Sequence, residues 1–213
     1  MGNPFDPLNV ILLLIAIFGF IRLRMTLGKR TGNEEPLSNK KYSGQIRQDI
    51  EKLSNSKKIN KPKNKEDVLF YLENNLNSFD QKIFIDGACN AYEIILKNYA
   101  DDNLKKIKSI ISKEVYKGFN EALSGRNKKK HKLTNELIAF DKAEIIDATI
   151  ERKNALITVE FYTRLITFVL DENQELVDGN KDNPISVVDR WTFKKPLRDK
   201  GPSWQLTSTQ SDG

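Results

Sequence analysis

The sequence predicts an α+β domain with an antiparallel sheet, carried behind a single N-terminal transmembrane helix. Three observations lead there. Leu8 to Ile21 is an apolar run of 14 residues, interrupted only by Asn9 and Gly19. Between residues 66 and 123 apolar side chains recur at helical spacing. From Ile146 onward the period becomes two, with turn signals between the runs. Helices first and closely connected strands afterwards fit α+β rather than alternating β-α units.

Composition sets the outer limits. The chain has 213 residues, with 35 Lys and Arg against 29 Asp and Glu, a net charge of +6. That length suits one domain of ordinary size with an appendage. Eleven Gly and one Cys exclude a collagen-like chain and a disulfide-stapled miniprotein. A mean hydropathy of −0.54 excludes a polytopic membrane protein. The charge is unevenly placed. Residues 22–65 hold thirteen basic and four acidic residues, a net +9, so residues 66–213 carry −2 once Asp6 is counted.

The anchor comes first. Taken from Phe5 to Leu23, the apolar run makes a helix of ~28 Å, against a hydrocarbon core of ~30 Å. Arg22 reaches the interface along its own stem. Eleven of the 14 residues in the run are Leu, Ile, Val or Phe, and together they favour insertion by ~3–7 kcal/mol. Nothing basic precedes Leu8, and Arg22-Leu23-Arg24 follows where a signal peptide needs a small-residue cleavage site. Asp6 stands where myristoylation requires Ser or Thr. Residues 1–28 are therefore expected to be an uncleaved anchor. Arg22, Arg24, Lys29 and Arg30 place its C-terminal side in the cytoplasm, with the N-terminus outside. The competing reading is a buried helix of a soluble core, which seldom stays apolar on every face.

Residues 29–65 read as a basic, flexible linker. Apolar residues are sparse, and only Tyr42, Ile46, Ile50 and Leu53 fall at helical spacing. The basic residues either attract anionic headgroups, ~1 kcal/mol for each one held near the surface, or serve only to fix topology. Nucleic acid is not an expected partner, because Tyr42 is the sole aromatic of this segment and offers no stacking platform.

The body, residues 66–213, opens with a helix near 66–77 carrying Val68, Leu69, Leu72 and Leu76. Ser78 and Gln81 fit a capping box for a helix of about five turns. Its apolar stripe holds Ile83, Phe84, Gly87, Ala88, Ala91, Ile94, Ile95 and Tyr99. Asp101 and Asp102 can cap a second helix, and Ser112 a third carrying Val115, Phe119, Ala122 and Leu123. Arg126, Lys128, Lys129, Lys130, His131 and Lys132 read as a solvated basic loop, or as a second headgroup or partner contact. Strands follow. Ala155, Ile157, Val159 and Phe161 alternate with Leu156, Thr158, Glu160 and Tyr162. Asp171-Glu172-Asn173 and Asp178-Gly179-Asn180 are turn signals. Val187, Asp189, Trp191 and Phe193 share one parity, and a last strand starts at Trp204 and carries Leu206.

Little in the chain suggests catalysis. With one Cys and one His, metal and nucleophile options nearly vanish, and no G-x-S-x-G, dinucleotide fingerprint or Walker A is present. Cys89 lies mid-helix beside Ala88 and reads as a small core residue. Asp189 is the one carboxylate worth weighing. In an apolar cavity its pKa would rise and it could serve as a base, although an Asp so placed more often pairs with a neighbour such as Arg190 or Arg152. No cofactor and no metal are expected.

These residues resemble a known family. Met1-Gly2-Asn3, Phe5-Asp6, the apolar run, Arg22-Leu23-Arg24, Leu27-Gly28 and Arg30-Thr31-Gly32-Asn33-Glu34 resemble the start of bacterial TimA-type proteins. Phe84, Gly87-Ala88, Ala91-Tyr92-Glu93, Leu104, Ile111-Ser112, Glu114-Val115-Tyr116 and Phe119 resemble the Tim-forty-four-like domain. So do Glu144-Ile145, Asp147-Ala148, Asp189, Trp191-Thr192-Phe193, Pro202 and Trp204-Gln205-Leu206. That domain is shared with the mitochondrial import-motor adaptor and a membrane-binding mitoribosomal protein. The resemblance implies a nuclear-transport-factor-two-like cone, helices on a curved antiparallel sheet, with an apolar pocket and association with the inner membrane. The short linker has no counterpart to the region that recruits the mitochondrial motor.

The expected function is a non-catalytic adaptor at the bacterial inner membrane that binds protein partners, lipid or both, linked to protein translocation or membrane-protein assembly. Its expected ligand or partner pocket is Gly87, Ala88, Ala91, Tyr92, Trp191, Phe193 and Trp204. The alternatives are a small-ligand or lipid carrier, a pocket enzyme on the same fold, or a wedge-like subunit of a larger membrane complex.

Overall fold

The computed structural model describes residues 62, 64–76 and 78–212. The expected anchor at 1–28, nearly all of the linker at 29–65, and with them Arg22, Arg24, Lys29 and Arg30 lie outside the described residues. Among the described residues no helix is long and apolar enough to cross a membrane.

Helix α1 (Lys65–Asn75) starts where the Asn64 side chain accepts the Asp67 amide at 2.7 Å. Such a cap satisfies a donor that a helix start leaves free. The helix buries Val68, Leu69 and Leu72. Helix α2 (Gln81–Ala100) has 20 residues, close to the five turns expected, but a different cap. Asp80, not Ser78, accepts the Ile83 amide, at 2.9 Å. Ser78 instead donates its hydroxyl to the Gly201 carbonyl at 3.1 Å and ties the start of α2 to a distant loop.

Helix α3 (Leu104–Ile107) is a single turn with no side-chain cap. Asp102, expected to cap it, faces Arg126 instead. Beyond α3 the chain makes a turn over 108–110 before Ile111 reaches the last strand. Leu206 donates to the Ile110 carbonyl and accepts from Ser112, each at 2.8 Å, which makes one parallel bridge. Helix α4 (Lys113–Lys128) then starts at Ser112, whose hydroxyl accepts the Val115 amide at 3.2 Å, as expected.

Of the basic run only Lys129, Lys130 and His131 form a loop, with both lysines exposed. Arg126 and Lys128 end α4, and Lys132 begins a strand. The strands are β1 (Lys132–Glu151), β2 (Asn154–Leu170), β3 (Leu176–Gly179), β4 (Ile185–Pro196) and β5 (Gln205–Asp212). All pair antiparallel, in the order β1-β2-β4-β5, with β3 beside the far end of β2. The sheet is open and curved, and the helices cover one face.

The β2 alternation holds as expected: Ala155, Ile157, Val159 and Phe161 are fully buried. Burying a Val, Ile or Phe side chain contributes ~1.5–3 kcal/mol, so this row is a large part of the core. Strand β1 starts 14 residues before the expected position, at Lys132 instead of Ile146. Its alternation is broken by register shifts between Leu137 and Ala139, Phe140 and Lys142, and Ile145 and Asp147. Each shift inserts one extra residue, Ile138, Asp141 or Ile146, and a bulge of this kind bends the strand. The bulges also explain why Ile138 and Ile146 are exposed although the strand is largely apolar.

Candidate functional site

The expected pocket residues divide into two ring clusters within one core. Tyr92 of α2 lies against Trp191 of β4 at 4.5 Å between ring centroids, against Phe161 at 4.9 Å and against Phe140 at 5.6 Å. Phe84 of α2 lies against Trp204 at 4.9 Å and Phe193 at 5.9 Å, with Phe79 5.9 Å from Trp204. Ala88 is buried between these levels of α2, and Ala91 is half-buried against the core. The rings meet at separations typical of packed aromatic pairs. These six residues are therefore core, filled by their own neighbours. Gly87 is a correction. The buried stripe of α2 runs through Phe84, Ala88, Tyr92 and Ile95. Gly87 falls outside that stripe and is exposed, and a Cβ there would meet nothing within 4 Å.

Asp189 does face the interior, as its parity predicted, and is buried. Its Oδ2 accepts the Tyr92 hydroxyl at 2.5 Å, and Thr163 Oγ1 lies 3.3 Å from the same hydroxyl. Burial first, then the Asp189 charge, push the Tyr92 hydroxyl far above its usual pKa. The carboxylate is thus held by a proton that stays on Tyr92. This geometry fixes α2 against β2 and β4, and it engages the oxygen a base would use. Cys89 is half-buried on α2, and its thiol is pushed up by burial and by Asp86. Among the described residues no group of three or more His, Cys, Asp and Glu could hold a metal ion.

Two grooves open elsewhere. One, of about 660 Å³, lies between α1, α2 and β1, with Leu69, Phe70, Ile85 and Ile145 among its lining. Phe70 there is 68% exposed. The other, of about 920 Å³, lies between the C-terminal half of α2 and the first residues of β1. Arg126 lines it, with a side chain only 8% exposed. Its Nη2 donates to the Tyr99 carbonyl at 2.9 Å, the Ala100 carbonyl at 3.2 Å and Asp102. Its guanidinium lies 5.1 Å from the Tyr99 ring centroid. A cation at the last carbonyls of α2 completes that helix end electrostatically. Sequence reasoning placed Arg126 in a charged run and missed this role. The i+24 pairing with Asp102 has no local signature.

The comparisons with known proteins bear on this arrangement. A family model described as the Tim44-like domain matches residues 67–211, the span from α1 through β5. The chain belongs to the Tim44-like domain family. The Tim44-like domain here is similar in structure to the intermembrane space region of the chloroplast protein ARC6. That similarity has a TM-score of 0.43 and 11% identity, over 62% of this chain and 96% of the other. No curated protein sequence matches the chain.

Proposed function

We propose that this Tim44-like protein is a membrane-anchored, non-catalytic adaptor at the bacterial inner membrane. Residues 1–28 hold it in the bilayer with the N-terminus outside. Arg22 and Arg24 at the end of the anchor, and Lys29, Arg30 and the later basic residues of the linker 29–65, lie along anionic headgroups. The domain 66–213 engages a protein partner on the cytoplasmic side, in protein translocation or membrane-protein assembly. Anchoring raises the local concentration of the domain at the surface where such a partner works.

One observation carries the reading: a Tim44-like domain whose expected pocket is filled by its own aromatic side chains. A filled interior favours recognition at the surface. The second reading, a lipid or small-ligand carrier, is favoured by the apolar groove at Leu69, Phe70, Ile85 and Ile145. A pocket enzyme would have to displace Tyr92 from Asp189.

Crosslinking in native membranes separates these. A single stoichiometric protein partner on residues 66–213 is expected. A recovered lipid or metabolite without a protein partner would overturn the adaptor reading. Two companion measurements test the membrane side. A body shielded from protease in inside-out vesicles would reverse the orientation. Deleting residues 1–28 should leave weak, salt-sensitive binding to anionic liposomes, and no binding at low salt would reduce the linker to a tether.

A further inference from the structure

We infer that the groove between α2 and β1 takes the C-terminal segment of a partner protein as an added strand, with its terminal carboxylate on Arg126 and His131. This rests on the adaptor reading and names its site. The first observation is the edge itself. β1 closes one side of the sheet and, among the described residues, pairs only with β2. Every residue from His131 to Leu137 lines the groove, those of both faces alike. The groove wall is therefore the outer edge of the strand, where backbone groups point away from β2.

Edge strands are commonly guarded against pairing by bulges. β1 is guarded unevenly. Lys132 to Leu137 pair with Leu170 to Leu165 without a break, and all three bulges come after Leu137. The straight, unguarded stretch is the one that borders the groove. Leu96 and Ala100 of α2 face it with Leu133 and Leu137, which gives alternate side chains of an added strand an apolar surface.

The second observation is the end of the groove. Among the described residues, Arg126 Nε and Nη1 and His131 Nδ1 are buried without hydrogen-bond partners. Buried donors are rarely left unpaired, because each costs its full desolvation. Nη2 is already occupied by two carbonyls and Asp102, so Nη1 and Nε remain for a ligand. Elsewhere the groove carries two cations, Lys97 and Lys132, against three anions, Glu93, Asp101 and Glu136, a net charge of −1. Among the described residues it offers no broad cationic field for a phosphate or a lipid headgroup. A single carboxylate, held by directed hydrogen bonds, fits better. A segment ending at Arg126 would run antiparallel to β1, as every named pair of strands in this sheet does.

The test uses the full chain in nanodiscs. The probes are a library of random heptapeptides with free C-terminal carboxylates and the same library amidated. Free acids should bind and slow hydrogen exchange at the amides of residues 132–137. The amides should bind about tenfold more weakly or worse. Arg126→Gln should erase the difference between acid and amide. Because Arg126 also ties α2 to α4, the acid–amide comparison on the unaltered chain decides the matter if that variant does not fold. Equal binding of acid and amide, protection only outside 132–137, no peptide binding, or displacement by inorganic phosphate or anionic vesicles would each overturn the inference. Crosslinking in native membranes keeps the two failures apart. A protein partner crosslinked only outside the groove removes this site and leaves the adaptor, whereas no protein partner at all removes the adaptor reading itself.

Discussion

Replacing Tyr92 by Phe removes the hydroxyl that meets Asp189 and Thr163 in the centre of the aromatic core. Tyr92 is fully buried, and its hydroxyl donates to the buried Asp189 carboxylate at 2.5 Å. A hydrogen bond to a charged group contributes ~1.5–3 kcal/mol. Tyr92→Phe keeps the ring contacts with Trp191 and Phe161, so the loss is expected at about 2 kcal/mol, without a large cavity cost. For a domain of this size that lowers Tm by roughly 4–8 °C. Urea unfolding of the full chain in detergent, followed by circular dichroism, reads it. Asp189→Asn and the double variant complete a cycle, whose coupling is expected near 1 kcal/mol or above for groups in contact. The pH dependence is a second readout. The folded pKa of Tyr92 is raised above its unfolded value of 10.0, by burial first and the Asp189 charge next. The associated stability is therefore complete below pH 10 and is lost as pH rises beyond it, by ~1.4 kcal/mol per pH unit. Tyr92→Phe should make the alkaline limb shallower by that slope. A loss under ~0.5 kcal/mol, additivity with Asp189→Asn and an unchanged alkaline limb would together refute the reasoning.

Three other outcomes are expected. Gly87→Ala should stabilise the chain by ~0.5–1 kcal/mol, because the added Cβ meets nothing within 4 Å and the helix loses a flexible residue; a loss in the same urea titration would restore Gly87 to a close-packed face. Gly179→Ala should cost more than ~1 kcal/mol and loosen β3 in hydrogen exchange, since φ is +83° and the new Cβ would lie 2.2 Å from the Thr167 carbonyl oxygen. The Tyr162 hydroxyl first, and then Arg190, hold the Glu160 carboxyl below its usual 4.5. Its contribution is present above pH 4.5 and lost as pH falls through the folded value, so Glu160→Gln should flatten the acid limb of stability below about pH 4.5.

Legibility in the sequence followed how local each feature is. The α2 stripe was readable in part: Phe84, Ala88 and Ile95 were placed on it and are buried, whereas Ile83, Gly87 and Ile94 were placed there too and are exposed; β2 was readable because Ala155, Ile157, Val159 and Phe161 alternate without interruption. The first 14 residues of β1 were not readable. Two inserted residues, Ile138 and Asp141, shift its parity there, and its start lies inside a basic run that resembles a loop. Tyr92 and Asp189 were each singled out, one as a pocket wall and one as a buried acid. Their contact spans 97 positions, and no local pattern encodes it. Arg126 was hidden in the same way. Its partners are the last carbonyls of α2 and Asp102, which tertiary packing alone brings to it.

The bulges that hid β1 also explain where its edge stays open. A sheet that curves around α1 and α2 needs local bends, and β1 concentrates three of them between Leu137 and Asp147. Beside the bulges the strand packs on α1 and α2, and its backbone is a poor template for another chain. Before them, Lys132 to Leu137 remain straight next to the C-terminal half of α2, where that helix ends on Arg126. Curvature and an open edge are thus two consequences of one distribution of bulges. Moving a bulge into the straight stretch, by inserting one residue between Thr134 and Asn135, should leave the aromatic core intact and close the edge. Near-ultraviolet circular dichroism would report on the first, and the acid–amide peptide difference on the second. Retained peptide binding in a folded insertion variant would show that the edge is not the binding element.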